Sequence, residues 1–316
     1  MSTSTTRPLR LGSLALAALA VLIVPADAHA WGPLAHLSFS AQALAELPAT
    51  ASPLRGLLAG FGNQFLYGSL AADIVVGKNM ARYLYHCHNW RVGFNVFKHA
   101  KPGGEQSFAL GFLSHLAADT VAHNYFVPFK TVASYHKANT RHAYWELRYD
   151  QRMDKGLSLV ARTVTTRAIR THDQYLRKML GGASVLPFGV SRQLFRSLLA
   201  TARIGRFGEV SRLALARERN LTLETDLVTD TNDLALRAIL GMLEEGERSE
   251  AARADATGAR NIRLATDLRK SLKLRTAKRI ILPRDAQEIA LETRESFRKA
   301  IYGKLVLPPS IAKLAA

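Results

Sequence analysis

The sequence has 316 residues, 48% of them hydrophobic and 22% charged, a balance that excludes a disordered or low-complexity chain and supports a full globular core with room for a smaller second unit. The formal charge of +18 raises the prospect of anionic partners, a phospholipid surface or nucleic acid, and says nothing decisive about fold. One cysteine, Cys87, rules out an internal disulfide, so the fold must stand on packing, metal or both.

In chain order, residues 1–30 read as a secretory signal peptide. Arg7 and Arg10 form a positive start, Leu11–Val24 an apolar run, and Ala28-His29-Ala30 a small-x-small cleavage site. Cleavage there predicts an exported protein, periplasmic or secreted, whose mature chain begins at Trp31. No later stretch offers eighteen uninterrupted apolar residues, so the mature chain is expected to be soluble or peripherally bound. After Trp31-Gly32-Pro33, Leu34 to Leu47 has helical character: Ala35, His36, Phe39, Ala43 and Leu44 recur at intervals of three and four, with His36 on or beside the apolar face. Pro48 and Pro53 break the chain, and Leu54–Leu58 begins another apolar element. Asp73 follows inside Leu70–Val76, where an ionised carboxylate is costly unless paired or metal-bound. Next comes His86-Cys87-His88-Asn89-Trp90. Histidines two apart point differently on a helix, so at most one of His86 and His88 is expected to bind metal, and Cys87 is expected to be a buried, inert thiol.

Ser107–Tyr125 predicts a central helix, with apolar residues on most sides and Pro128 as its latest end. His115, Asp119 and His123 lie four apart and form one polar ridge. Without a bound cation, that ridge would cost several kcal/mol of desolvation. Thr140–Tyr149 supplies a second pair, His142 and Glu146. These donors are the types that hold zinc, and two ridges on facing helices make a metal box inside a bundle. His136 is a reserve ligand. His99 and His172 have no distinguishing pattern.

These residues resemble the bacterial zinc-dependent phospholipase C family, related more distantly to the zinc-dependent single-strand nucleases. The resemblance runs from Trp31 to Glu146 and toward residue 185. It implies an all-α, multi-helix bundle holding up to three Zn2+ ions, with an N-terminal tryptophan whose amine and carbonyl bind metal. Trp31 directly after the cleavage site matches that feature, and His36 resembles the histidine sharing that metal. Asp73 and His86 resemble the aspartate and histidine of another metal. His86 is preferred over His88 because the family's ligand opens a His-x-x-Asp/Asn run that Asn89 completes. His115 and Asp119 match a His-x-x-x-Asp pair whose aspartate bridges two zincs; His142 and Glu146 match a His-x-x-x-Glu pair. The departure is His123, four residues past Asp119 where the family's histidine stands six past; it is preferred over His136 as the remaining ligand. The domain organisation expected is residues 1–30 as signal, 31–185 as the family-like helical domain and 186–316 as a helical C-terminal extension.

The chemistry expected of such a cluster is hydrolysis of a phosphodiester by metal-activated water. Asp119 is the expected bridge, and Asp73 either a ligand or the acceptor of the water's proton. Tyr83, Tyr85, Trp90, Phe126 and Tyr135 are aromatic candidates for a headgroup or base pocket. Beyond residue 150 the chain reads as helical, with breaks near Gly181-Gly182, Pro187 and Pro283 and an exposed stretch over Ala251–Asn261. Ile262–Ile281 reads as a basic amphipathic helix, either suited to an anionic membrane surface or packed on the bundle with its charges in solvent. Three functions remain open at this point: a phosphodiesterase acting on phospholipid headgroups, a zinc-dependent single-strand nuclease, and a non-catalytic zinc-stabilised membrane- or partner-binding protein.

Overall fold

A computed structural model describes residues 31–47, 54–74, 87–137, 142–154, 156–165, 171–180, 188–193, 195 and 223–315, and every regular element among the described residues is helical. The chain is an all-α multi-helix bundle. Helix α1 (Pro33–Glu46) starts on a proline whose missing N–H costs nothing there. Gly32, its cap, has no side chain to satisfy the first turn. Asp150, from the end of a distant helix, takes that role: Oδ2 accepts from Leu34 N at 3.1 Å and Oδ1 from Ala35 N at 2.9 Å. Helices α2 (Arg55–Gly60) and α3 (Gly62–Ala71) follow, and a 3-10 turn (Ala72–Ile74) carries Asp73.

After α4 (Trp90–Lys98) comes the central helix α5 (Gly104–Val121), buried throughout from Ser107 to Val121 as the sequence predicts. Its closest neighbour is α3, and glycines set that approach. A Cβ at Gly111 would stand 1.9 Å from the Phe65 carbonyl oxygen, and one at Gly68 would stand 2.0 Å from that of Phe108. The two backbones therefore pack at a distance that no other residue allows.

The expected stop at Pro128 does not occur. α5 runs into a π-helical turn (Ala122–Phe126) and then α6 (Val127–Ala133), with Pro128 in its first turn. The wider π turn accommodates the proline ring. Pro128 has no N–H for the Asn124 carbonyl four residues back, and the Asn261 side-chain amide donates to that carbonyl at 3.3 Å instead. The chain continues through α7 (His142–Asp150), α8 (Leu157–Val164) and α9 (His172–Leu180). The breaks expected at Gly181-Gly182 and Pro187 lie outside the described residues.

In the C-terminal half, α10 (Thr225–Glu245) packs on α5 and α1, and α11 (Glu250–Arg253) follows it. α12 (Ala259–Ala277) and α13 (Pro283–Lys299) both pack on α6, and α14 (Pro309–Ala315) lies against α12. The basic helix expected over Ile262–Ile281 is α12. Ala265, Leu268 and Leu272 are buried, so its apolar stripe is spent on the bundle. Ala251–Asn261 is not the exposed stretch its composition implies. Ala251, Ala256 and Asn261 are buried, because this segment docks on the π turn: Asn124 donates to the Asp255 carbonyl at 2.8 Å. No helix among the described residues is long and apolar enough to cross a membrane.

Candidate metal centre

Four elements bring their polar side chains to one buried point beside α5. His115 and Asp119 come from the middle of α5, one turn apart, His36 from the first turn of α1, Asp73 from the 3-10 turn and His88 from just before α4. Asp119 is fully buried, and its carboxylate is shared. Oδ1 lies 3.3 Å from His36 Nε2, while Oδ2 lies 3.3 Å from His88 Nε2 and 3.2 Å from His115 Nε2. Asp73 Oδ1 stands 3.3 Å from His88 Nε2 and 3.8 Å from His115 Nε2. The His36 and His115 rings stack at 3.7 Å.

Two observations test whether these residues suit a divalent cation. Both Asp119 oxygens and both His36 ring nitrogens are buried without a hydrogen bond among the described residues, an expensive arrangement for an all-protein interior. The second is orientation. His115 Nδ1 donates to the Ser69 carbonyl at 2.8 Å, which turns Nε2 toward His88 Nε2 only 2.7 Å away. A backbone carbonyl fixing one imidazole nitrogen while the other faces a cluster is how proteins orient metal-binding histidines. His36, Asp73 and His115 form one group of converging donors and His88, His115 and Asp119 another; the residues fit the cation.

Electrostatics follow from the same packing. Burial alone would raise the Asp119 carboxyl, but the His115 and His36 imidazoles outweigh it and hold it well below the usual carboxylate range. Burial, with help from His115, pushes His36 below the ordinary histidine value despite Asp119 beside it. Burial also raises Asp150 to about 7, against the lowering effect of the Leu34 and Ala35 N–H groups.

The remaining sequence candidates are placed as follows. Trp31 is buried, its indole N–H reaching the Ala118 carbonyl at 3.3 Å and its ring against Phe126 and Tyr149. It is thus pinned beside the residue that precedes Asp119. His86 lies outside the described residues; His88, its alternative, stands in the cluster. His123 is buried, with Nδ1 donating to the Ala256 carbonyl at 2.6 Å, and is in neither donor group. The π turn starting at Ala122 takes it off the straight α-helical ridge with His115 and Asp119. Glu146 is buried on α7, and the side chain of His142 lies outside the described residues. His136 is exposed on the turn after α6. Cys87 is buried, its sulfur 3.9 Å from His88 Nδ1. Of the aromatic candidates, Phe126 packs in the core, Tyr135 donates to the Pro283 carbonyl, and Trp90 stacks on Phe94; Tyr83 and Tyr85 are outside the described residues.

Sequence reasoning missed the groups that hold the ligands in place. The Ser69 carbonyl and the Asp150 cap of α1 leave no local pattern, because each acts across a long sequence separation. Fold and site together define an all-helical protein with a candidate nitrogen- and oxygen-donor metal centre. Residues 35–182 match the family model described as zinc dependent phospholipase C, and that stretch carries His36, Asp73, His88, His115 and Asp119. Helices α10 to α14 lie beyond it. No curated protein and no solved structure gave a match.

Proposed function

We propose that this protein is an exported zinc-dependent phosphodiesterase that hydrolyses phospholipid headgroup phosphodiesters. The observation that carries the reading is the sharing of one buried carboxylate, Asp119, by His36 on one oxygen and by His88 and His115 on the other. In this reading Asp73, His88, His115 and Asp119 would hold one ion. Asp119, His36 and the amine and carbonyl of Trp31, exposed by cleavage after Ala30, would hold a second. His123, His142 and Glu146 would hold a third, as the family resemblance implies. Zinc at such a centre lowers the pKa of a water toward neutrality and stabilises charge on phosphoryl oxygens.

The chain's own residues divide the remaining work. The Asp73 side chain is 12% exposed where Asp119 is 0%, so Asp73 is the carboxylate that solvent reaches, and it takes the proton of the attacking water. Asp119 stays ionised between its imidazoles and keeps the donors together. Ser69 holds the His115 ring, and Asp150 holds the helix turn from which His36 projects. A nuclease would use the same bond chemistry, and the +18 charge would draw a polyanion.

The test offers mixed phospholipids and single-stranded DNA to processed, zinc-loaded protein. The proposal expects zinc-dependent release of phosphorylated headgroups. Turnover of DNA alone would favour the nuclease, and turnover of neither would overturn both enzyme readings.

A further inference from the structure

We propose that the turn joining α12 to α13 is a docking tip for an anionic lipid surface. Leu274, Ile280 and Leu282 are 55%, 59% and 64% exposed, and they fall in one short stretch of chain at the end of α12 and in the turn after it, off the buried stripe of Ala265, Leu268 and Leu272. Exposed cations alternate with them along the chain, Lys273, Lys278, Arg279 and Arg284, followed by Asp285, and Arg284 is paired to Glu288 at 3.1 Å. Large apolar side chains ringed by Lys and Arg are the composition of interfacial segments, which bury the former at the acyl boundary and extend the latter to headgroup phosphates.

The backbone carries a second, independent sign. α12 ends in a Schellman motif: Ile280 N donates to the Arg275 carbonyl at 2.8 Å and Arg279 N to that of Thr276 at 3.1 Å. The left-handed position of that motif is normally glycine, and here it is Arg279, at φ 57°. An arginine held there accepts backbone strain and places a guanidinium at the tip of the turn. An apolar contact between the residues corresponding to Leu274 and Ile280 frequently accompanies the motif; here both remain more than half exposed. The turn is held against the bundle, since Tyr135 donates to the Pro283 carbonyl at 3.1 Å. Cations alone would serve a nucleic acid equally well. The apolar trio has no use against a phosphodiester backbone, and so favours lipid. The inference rests on this surface alone and stands whether or not the metal centre is catalytic.

Because Cys87 is buried, Leu282→Cys provides a tip site for an environment-sensitive fluorophore, and its signal does not report adhesion through other parts of the chain. With vesicles of phosphatidylcholine containing about 30% phosphatidylglycerol, the label should move to an apolar environment. With phosphatidylcholine alone it should stay in water. Adding Lys278→Gln and Arg279→Gly should weaken vesicle binding about tenfold or more. Arg279→Gly by itself should keep or raise the Tm, because glycine is at ease at this φ, so lost binding with retained stability is not folding damage. A label unmoved by anionic vesicles, unchanged vesicle affinity in the double variant, or a label that responds to a single-stranded oligonucleotide and not to vesicles would overturn the proposal.

Discussion

Gly111→Ala tests the geometry that positions His115. The new Cβ would stand 1.9 Å from the Phe65 carbonyl oxygen and 2.9 Å from Ser69 N. Both neighbours are backbone of α3, so the contact can be relieved only by parting α3 from α5 by roughly an ångström or more. Overpacking of this kind costs about 1–3 kcal/mol. The same movement stretches the 2.8 Å bond from His115 to the Ser69 carbonyl, and a buried group left unsatisfied costs about another 1–3 kcal/mol. Together these approach a large share of the roughly 5–15 kcal/mol that stabilises a typical domain. Urea unfolding of the metal-free variant should show a loss of about 2–6 kcal/mol, and calorimetric titration should show weaker zinc binding. Gly241→Ala is the control, since its Cβ meets nothing within 4 Å, and in mid-helix it should stabilise by about 1 kcal/mol. Gly111→Ala within about 0.5 kcal/mol of the parent, with zinc affinity unchanged, would refute the argument.

Other changes act on the same centre by different routes. Asp119→Ala removes the shared carboxylate and should abolish turnover and release metal, checked by elemental analysis after dialysis; retention of metal would exclude its bridging role. Gly258→Val should shift the segment that anchors His123, because a Cβ there would stand 2.3 Å from the His123 carbonyl oxygen and the residue sits at φ 54°. A loss of about 2–4 kcal/mol in urea unfolding is expected. Asp150 has a folded-state pKa raised from 3.8 to about 7, so the folded protein binds a proton there that the unfolded chain has released. Stability from this group is therefore present below pH 4 and lost as pH rises to 7, by up to about 4 kcal/mol. Asp150→Asn should flatten that part of the profile in urea midpoints measured across this range.

The central helix was legible because burial on all sides leaves a long apolar run, and His115 and Asp119 were legible because four-residue spacing puts them on one face. His36 could be read for the same reason. The course beyond Val121 could not. Pro128 ordinarily ends a helix, and what lets this one continue is a π turn together with an asparagine 133 positions further on. Nor does local sequence show that Ala256 and Asn261 are buried, since what covers them is the π turn itself. His88 presents a different case: its neighbour His86 fits the family's spacing, whereas entry into the cluster depends on how the turn before α4 delivers the ring. The tip of α12 was hidden by its own pattern, since Leu268 and Leu272 are spent on packing while Leu274, in the same run, is left in solvent.

The central claim is that nitrogen and oxygen donors from α1, α5, the 3-10 turn and the approach to α4 converge on divalent metal. Anomalous diffraction at the zinc edge from crystals of processed, zinc-supplemented protein measures this directly. One peak is expected among Asp73, His88, His115 and Asp119 and a second between His36 and Asp119, in addition to the third ion proposed at His123, His142 and Glu146. Crystals whose zinc signal is absent from the first two positions would contradict the claim.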